Sequence, residues 1–330
     1  MKNFFSKLFR FLIRTWKTFC SDCRFSIYYA FLRVIDEFAA RLHWNALSNS
    51  AHNAKDQWLL RFLKKQLRNT IVLYQNDKEL GEAKENSPIW ICWWTGLDSA
   101  PALVQKCIAS SYKNAGTHPV HLITQENYSD YLQIPAYMLE KVKDGKMGLA
   151  HLADYIRVKL LADYGGLWLD ATIFCSQTLP SLCFELPVST LKGPVRKSRY
   201  ISDYRWVTFC LGGWKGNVFY RFLADAFEEY WSQNDYAVDY LFFDHIILTA
   251  YNELPEIRKL LDGIPDNNIH RDDLQAAMNA ALPASEFSEI IHPDTMFYKL
   301  SWRENYSFTT ADGKPSIYHY FLNNNFGEKK

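Results

Sequence analysis

Residues 147–174, MGLAHLADYIRVKLLADYGGLWLDATIF, constrain this chain more than any other stretch. Leu149, Ala153, Ile156, Leu160, Leu161 and Tyr164 recur at three- and four-residue spacing, which predicts a helix with one buried face. Gly165 and Gly166 end that helix, because glycine tolerates the left-handed backbone of a helix C-cap. Leu167, Trp168 and Leu169 then read as a short apolar strand. Strand alternation puts Trp168, Asp170 and Thr172 on one face and Leu167, Leu169 and Ala171 on the other. The strand delivers a carboxylate at its C-terminal end, the edge at which open α/β sheets bind ligands.

Asp154 and Arg157 stand three apart on the helix and can share a face. Singly, each polar residue here has a structural explanation: an ion pair on a helix, a solvated aspartate at a strand end. Together, with the glycine pair between them, they form a polar set on an apolar frame, as a functional site does.

This segment resembles the nucleotide-sugar-binding region shared by bacterial capsular polysaccharide synthesis proteins and the glycosyltransferases with a DXD sugar-binding motif. Ala153-Asp154-Tyr155-Ile156-Arg157, Tyr164-Gly165-Gly166 and Leu167-Trp168-Leu169-Asp170-Ala171-Thr172 match the pattern in order. The likeness also takes in Ile89 to Thr95 and extends more weakly to about residue 250. The wider group carries a second acidic residue where this chain has Thr172, while the capsule-type members are similar to it in reading Asp-Ala-Thr.

The resemblance implies an α/β fold of the GT-A nucleotide-sugar transferase type, with a mixed, mainly parallel sheet preceded by an N-terminal helical region. It implies transfer of a sugar, with retention of configuration, from a nucleotide-sugar donor to a cell-surface polysaccharide or lipid-linked glycan acceptor. It places Trp93, Thr95, Asp154, Arg157, Gly165, Gly166 and Asp170 at the nucleotide sugar; the catalytic candidates are Asp170 and, from its place inside an apolar run, Asp244. Asp170, Thr172 and His319 become the candidate ligands of a divalent manganese or magnesium ion. Charge builds on the departing diphosphate, so a metal, a cation or backbone donors must meet it there. Two rivals stand beside this reading: a non-catalytic membrane-bound subunit of an assembly system, and a different metal-dependent nucleotide-using transferase.

The bulk properties fit a folded protein, with 48% hydrophobic and 16% aromatic residues. Lysines and arginines number 37 against 36 acidic residues, so nothing favours nucleic acid as a partner. Seven cysteines without framework spacing point to reduced thiols and a cytoplasmic setting, and Cys20-Ser-Asp-Cys23 lacks the second half of a zinc site. No Walker loop, GxGxxG after a strand or HExxH is present.

The domain boundary is expected near residue 85, in a polar break that runs from Asn76 to Pro88, dividing residues 1–85 from a catalytic domain at 86–330. Within residues 1–20, Phe4, Phe5, Leu8, Phe9, Phe11, Leu12, Ile13, Trp16 and Phe19 fill one arc of a helix, and Lys2, Lys7, Arg10, Arg14 and Lys17 the other. That suits a helix lying on an anionic membrane, at the inner face of the bacterial cytoplasmic membrane; packing on the protein's own core or on a partner is the alternative. Charges interrupt the stretch too often for a spanning helix or a signal peptide.

Beyond the boundary, Ile89–Gly96 reads as a strand and turn, with Asp98 or Ser99 as cap of a helix whose inner face is Leu103, Val104, Cys107 and Ile108. Pro119–Thr124 is a second strand, completing a parallel βαβ unit. Trp206–Leu211 reads as a strand with Gly212-Gly213 as its turn, Val218–Trp231 as an amphipathic helix, and Ile317–Phe321 as a strand carrying His319. The tail from Asn323 reads as frayed. Lys192, Arg196, Lys197, Arg199 and Arg205 form a basic loop that either is solvated or approaches a diphosphate. Asp244, inside an apolar run, needs a partner, either His245 in a structural hydrogen bond or a substrate.

Overall fold

The computed structural model describes residues 2–281 and 290–323. The chain begins with helices α1 (Lys2–Asp22), α2 (Ile27–Arg41), α3 (Asn45–Gln66) and α4 (Arg68–Tyr74). Then follow β1 (Ile89–Cys92), α5 (Ala102–Asn114), β2 (Val120–Ile123), α6 (Ala136–Lys143), α7 (Leu149–Tyr164) and β3 (Gly166–Leu169). Next come β4 (Ile173–Cys175), β5 (Val188–Thr190), β6 (Cys210–Gly213), α8 (Val218–Gln233), α9 (Phe242–Glu253) and α10 (Pro255–Asp262). The last elements are α11 (Asp273–Ala277), β7 (Phe297–Lys299) and α12 (Ile317–Asn323).

The main sheet has the order β2-β1-β3-β6-β5. β1 pairs parallel with β2 and β3; β6 pairs antiparallel with β3 and β5. Hence β2, β1, β3 and β5 run one way and only β6 opposes them, which is the mixed, mainly parallel α/β sheet expected. Strands apolar on both faces need cover on both. Ile89, Ile91, Leu167 and Leu169 face a cluster with Val104 and Ile108 of α5. Trp90 and Trp168 face the opposite layer, where α7, α8 and α9 pack. Tyr29, Leu59, Leu63, Leu67 and Tyr74 of the N-terminal helices join that same cluster across the Asn76–Pro88 break. Each buried tryptophan here is worth about 3–5 kcal/mol against alanine.

Several local expectations change. α7 is buried on more than one face: Leu152, Tyr155, Val158 and Ala162 are covered as well as Ile156, Leu160 and Leu161, while Leu149 and Tyr164 are exposed. Two layers of helices enclose it, so a single-stripe reading is too narrow. Gly212 and Gly213 lie inside β6 rather than in a turn, since both pair with β3 and β5. Ile317–Phe321 is helical, with Ile317 and Phe321, four apart, buried beside Leu103 and Phe174. A short aromatic run fits either period, and here helical packing decides. Neither Asp98 nor Ser99 caps α5; Ser99 bonds back to Thr95 and Gly96, and Pro101 takes the cap position. The tail from residue 324 lies outside the described residues.

Gly165 and Gly166 have φ of 71° and 100°. A Cβ on Gly166 would sit 2.1 Å from the Pro88 carbonyl oxygen, so only glycine lets β3 run this close to the chain entering β1.

Candidate active site

β1 and β3 are in register, Ile89 with Leu167 and Trp90 with Trp168, and both end at one edge of the sheet. β3 stops at Leu169. Asp170 begins a turn closed by the Ile173 N–H donating to its carbonyl at 2.9 Å, and the Asp170 N–H is held by the Phe209 carbonyl. The turn leads into β4, which pairs antiparallel with β7, Ile173 opposite Lys299.

This topology gathers four charged side chains. Arg157 on α7 has its side chain 6% exposed; its Nη2 lies 3.0 Å from Asp170 Oδ1 and 3.4 Å from Asp154 Oδ1. Its Nη1 donates to the Thr208 carbonyl, and its guanidinium lies over Trp168 and Phe243. The Trp168 indole N–H also donates to Asp170 Oδ1, at 3.0 Å, as expected of strand neighbours on one face. Lys299 Nζ donates to Asp170 Oδ2 at 2.9 Å and to Thr172 Oγ1 at 2.7 Å. Asp170 is thus clamped between an arginine and a lysine.

The electrostatics separate the three carboxylates. Burial presses the Asp170 pKa upward, but Lys299, Arg157 and the Trp168 hydrogen bond outweigh it and hold Asp170 below its ordinary value. Asp154 goes the other way. Burial, together with the charges of Asp170 and Asp244, raises it to about 7 against the pull of Arg157. Asp244 is also raised by burial, partly offset by the Trp206 indole N–H, which donates to it at 3.0 Å, and by His245 and Arg157. The Asp244–His245 hydrogen bond allowed by the sequence is not made. Instead His245 Nδ1 faces the Leu241 carbonyl one helical turn back.

Two buried donors at this edge have no protein partner: Arg157 Nε and Trp93 Nε1. Trp93 follows β1 directly, and its ring meets that of Trp302, three residues past Lys299, edge to face at 6.1 Å. Thr95 lies in the exposed loop beyond, bonded to Ser99.

The other candidates are placed differently. Gly165 and Gly166 stand at the opposite end of β3 from Asp170, about 13 Å away at roughly 3.3 Å per residue, and act through backbone packing. His319 lies on α12 among Phe308, Tyr320 and Asn323. None of its contacts is with Asp170 or Thr172. Lys299 and Trp302 escaped the sequence reading. The one available signal was a lone cation in the apolar run Phe297-Tyr298-Lys299-Leu300, as unusual there as Asp244 in its own run.

Asp170 and Thr172 do not fit a divalent metal in this arrangement. The oxygens it would take already accept from the Lys299 ammonium. A divalent ion there would have to displace that ammonium or lie beside a like charge. Three of the five basic-loop residues are likewise engaged, while Arg196 and Lys197 are exposed. Lys192 donates to the Leu261 and Asp262 carbonyls, Arg199 pairs with Asp36, and Arg205 stacks on Trp206 and Tyr251. An open groove lined by Tyr155, Lys159, Asp163 and Glu228 lies on the side of α7 away from Arg157 and takes no part in this cluster.

The chain is similar to two known proteins and to one family. The O-glycosyltransferase braB of Annulohypoxylon truncatum is 25% identical over 157 residues, 43% of this chain and 37% of that protein. The chain therefore spans little more than a third of that relative. Among solved structures, the PaToxG glycosyltransferase is a distant likeness, with a TM-score of 0.40 and 14% identity over 64% of this chain and 83% of that one. A family match is far more extensive: residues 40–321 fit the family described as capsular polysaccharide synthesis protein, from the end of α2 into α12, taking in every charged residue gathered at Asp170. The chain belongs to the capsular polysaccharide synthesis protein family.

Proposed function

We propose that this protein is a glycosyltransferase of the GT-A type that moves a sugar from a nucleotide-sugar donor to a capsular or other cell-surface polysaccharide, or to a lipid-linked glycan. The observation that carries this reading is the convergence of Asp154, Arg157, Asp170 and Lys299 at the C-terminal edge of β1 and β3. A buried arginine and a half-buried lysine beside acceptor-rich carboxylates suit a ligand that is both a diphosphate and a sugar. The cations meet the leaving diphosphate, and the carboxylates meet hydroxyls. The kinship with an O-glycosyltransferase supports it.

In the reaction, the bond between the anomeric carbon and the diphosphate oxygen breaks, and its electron pair leaves on the diphosphate. The acceptor hydroxyl oxygen bonds to the anomeric carbon and gives up its proton to Asp244. Retention of configuration is the outcome that the family resemblance implies.

The test is incubation with a panel of nucleotide sugars and a glycan extract, scored by released nucleoside diphosphate and by labelled product. Release by wild type from one donor, cut at least about a hundredfold in Asp170→Asn, supports the reading. A folded wild type that turns over no donor shifts weight to the non-catalytic subunit, and transfer of phosphate instead of sugar shifts it to a phosphotransferase.

We further propose that α1 and α2 rest on an anionic membrane. No helix among the described residues is long and apolar enough to cross one. Phe9, Leu12, Ile13 and Trp16 form an exposed stripe on α1, beside exposed Arg10, Arg14 and Lys17. Phe19 carries that stripe across to Phe31, and Ile27, Tyr28 and Ile35 extend it along α2.

A further inference from the structure

We propose that Lys299 stands where a divalent metal would, so that the diphosphate of the donor is held by Lys299 and Arg157 with no metal ion. This deepens the transferase reading and rests on it.

Thr172 is a neutral residue two positions after Asp170. A second carboxylate at that position would favour a cation held between two acids. Here a neutral hydroxyl and Asp170 together receive the ammonium of Lys299, which the β4–β7 pairing delivers from a distant part of the chain. The cation is built in. Its neighbour Arg157 is equally fixed, by the Thr208 carbonyl and by the faces of Trp168 and Phe243. Lys299 and Arg157 share Asp170, while Asp154 reaches Arg157 at 3.4 Å and has no ion pair with Lys299 among the described residues.

An unpartnered donor agrees with this. Arg157 Nε is buried without an acceptor, and a buried N–H left alone is costly. It is a donor, and oxygens of a phosphate are acceptors only. A hydrated metal would bring further donors to a place that already has a surplus. As the anomeric carbon–oxygen bond breaks and its electrons pass to the diphosphate, the ammonium and guanidinium supply the charge that a metal otherwise supplies.

The experiment is calorimetric titration of the full chain with UDP, GDP, ADP and dTDP, each with excess EDTA and then with excess manganese. Lys299→Gln and Lys299→Arg are run beside wild type, and circular dichroism checks their folds. We expect one diphosphate to bind wild type equally in both buffers. Lys299→Gln should weaken it about ten- to a hundredfold in EDTA, as loss of a charged hydrogen bond does, and Lys299→Arg should restore most of the affinity. Binding that appears only with manganese overturns the inference and leaves the transferase reading standing. Unchanged binding in Lys299→Gln also overturns it. Absence of binding by folded wild type in both buffers overturns the inference and the nucleotide-sugar reading together. If Lys299→Gln does not fold, the wild-type comparison of the two buffers still decides.

Discussion

Arg157 reaches Asp170 from the facing helix, Nη2 to Oδ1 at 3.0 Å, and the same nitrogen touches Asp154 at 3.4 Å. One guanidinium therefore orders two carboxylates whose pKa values move in opposite directions. Its planar fork also reaches the Thr208 carbonyl while its Cζ lies over the Trp168 ring, 4.9 Å from the centroid. An ammonium can match the charge but not this set of directions.

Arg157→Lys is accordingly expected to be far from conservative. It should fold with a loss of about 1–3 kcal/mol, because the charge stays but buried hydrogen-bond acceptors such as the Thr208 carbonyl are left without their donor. Sugar release should fall at least about tenfold. Denaturant unfolding and donor turnover on the same preparation check both. A variant with wild-type stability and turnover would remove Arg157 from the centre of the site.

Gly166→Ala tests the opposite role. The new Cβ would lie 2.1 Å from the Pro88 carbonyl oxygen, on a backbone at φ 100°. β1 and β3 would have to separate, so the expected result is loss of folded protein, not selective loss of catalysis. Circular dichroism and thermal melting read this directly. A well-folded but inactive Gly166→Ala would instead put this glycine in contact with the ligand.

What the sequence discloses and what it hides divide along chain distance. α7, the Gly165-Gly166 stop and the placing of Trp168 and Asp170 on one face are local, set by helix period and strand alternation, and the structure bears these out. Lys299 meets Asp170 across 129 residues, through the β4–β7 pairing, and nothing in its neighbours announces that contact. Arg199 behaves alike: charge alone suggested a diphosphate or solvent, whereas its partner is Asp36 on α2. Phe11 shows the same limit on a small scale. It belongs to the apolar arc of α1, yet it turns inward against Phe38 and Arg41 while Phe9 and Trp16 remain outside.

Asp154 makes a pH prediction. Burial first, then Asp170 and Asp244, lift its pKa from 3.8 to about 7. Between those values the folded chain keeps a proton that the unfolded chain has released. The stability tied to this group is full below pH 3.8 and is lost as pH rises through about 7. Asparagine does not titrate. The melting temperature of Asp154→Asn, relative to wild type, should therefore rise between about pH 5 and about pH 8, by roughly 2–4 °C for each kcal/mol recovered. Paired melts at the two pH values measure it. A difference that stays flat, or falls, would show that Asp154 is ionised throughout.

The membrane proposal rests on an arrangement finer than amphipathicity. Phe11 and Thr15 face inward on α1, and Phe9, Leu12, Ile13 and Trp16, at spacings of three, one and three, face outward. A helix made only to pack on its own core has no use for a second apolar stripe, and solvent penalises one at roughly 1.5–3 kcal/mol per large side chain that a bilayer interface would cover. Arg10, Arg14 and Lys17 flank that stripe, where they would reach acidic headgroups while the aromatic rings enter the acyl boundary. The full chain should sediment with vesicles containing anionic phospholipid, less in high salt, and little with neutral vesicles. Phe9→Glu with Trp16→Glu should reduce sedimentation at least about tenfold without changing the melting temperature, because both side chains already stand in solvent. Equal sedimentation of the double variant and wild type would assign the stripe to a protein partner instead of a lipid surface.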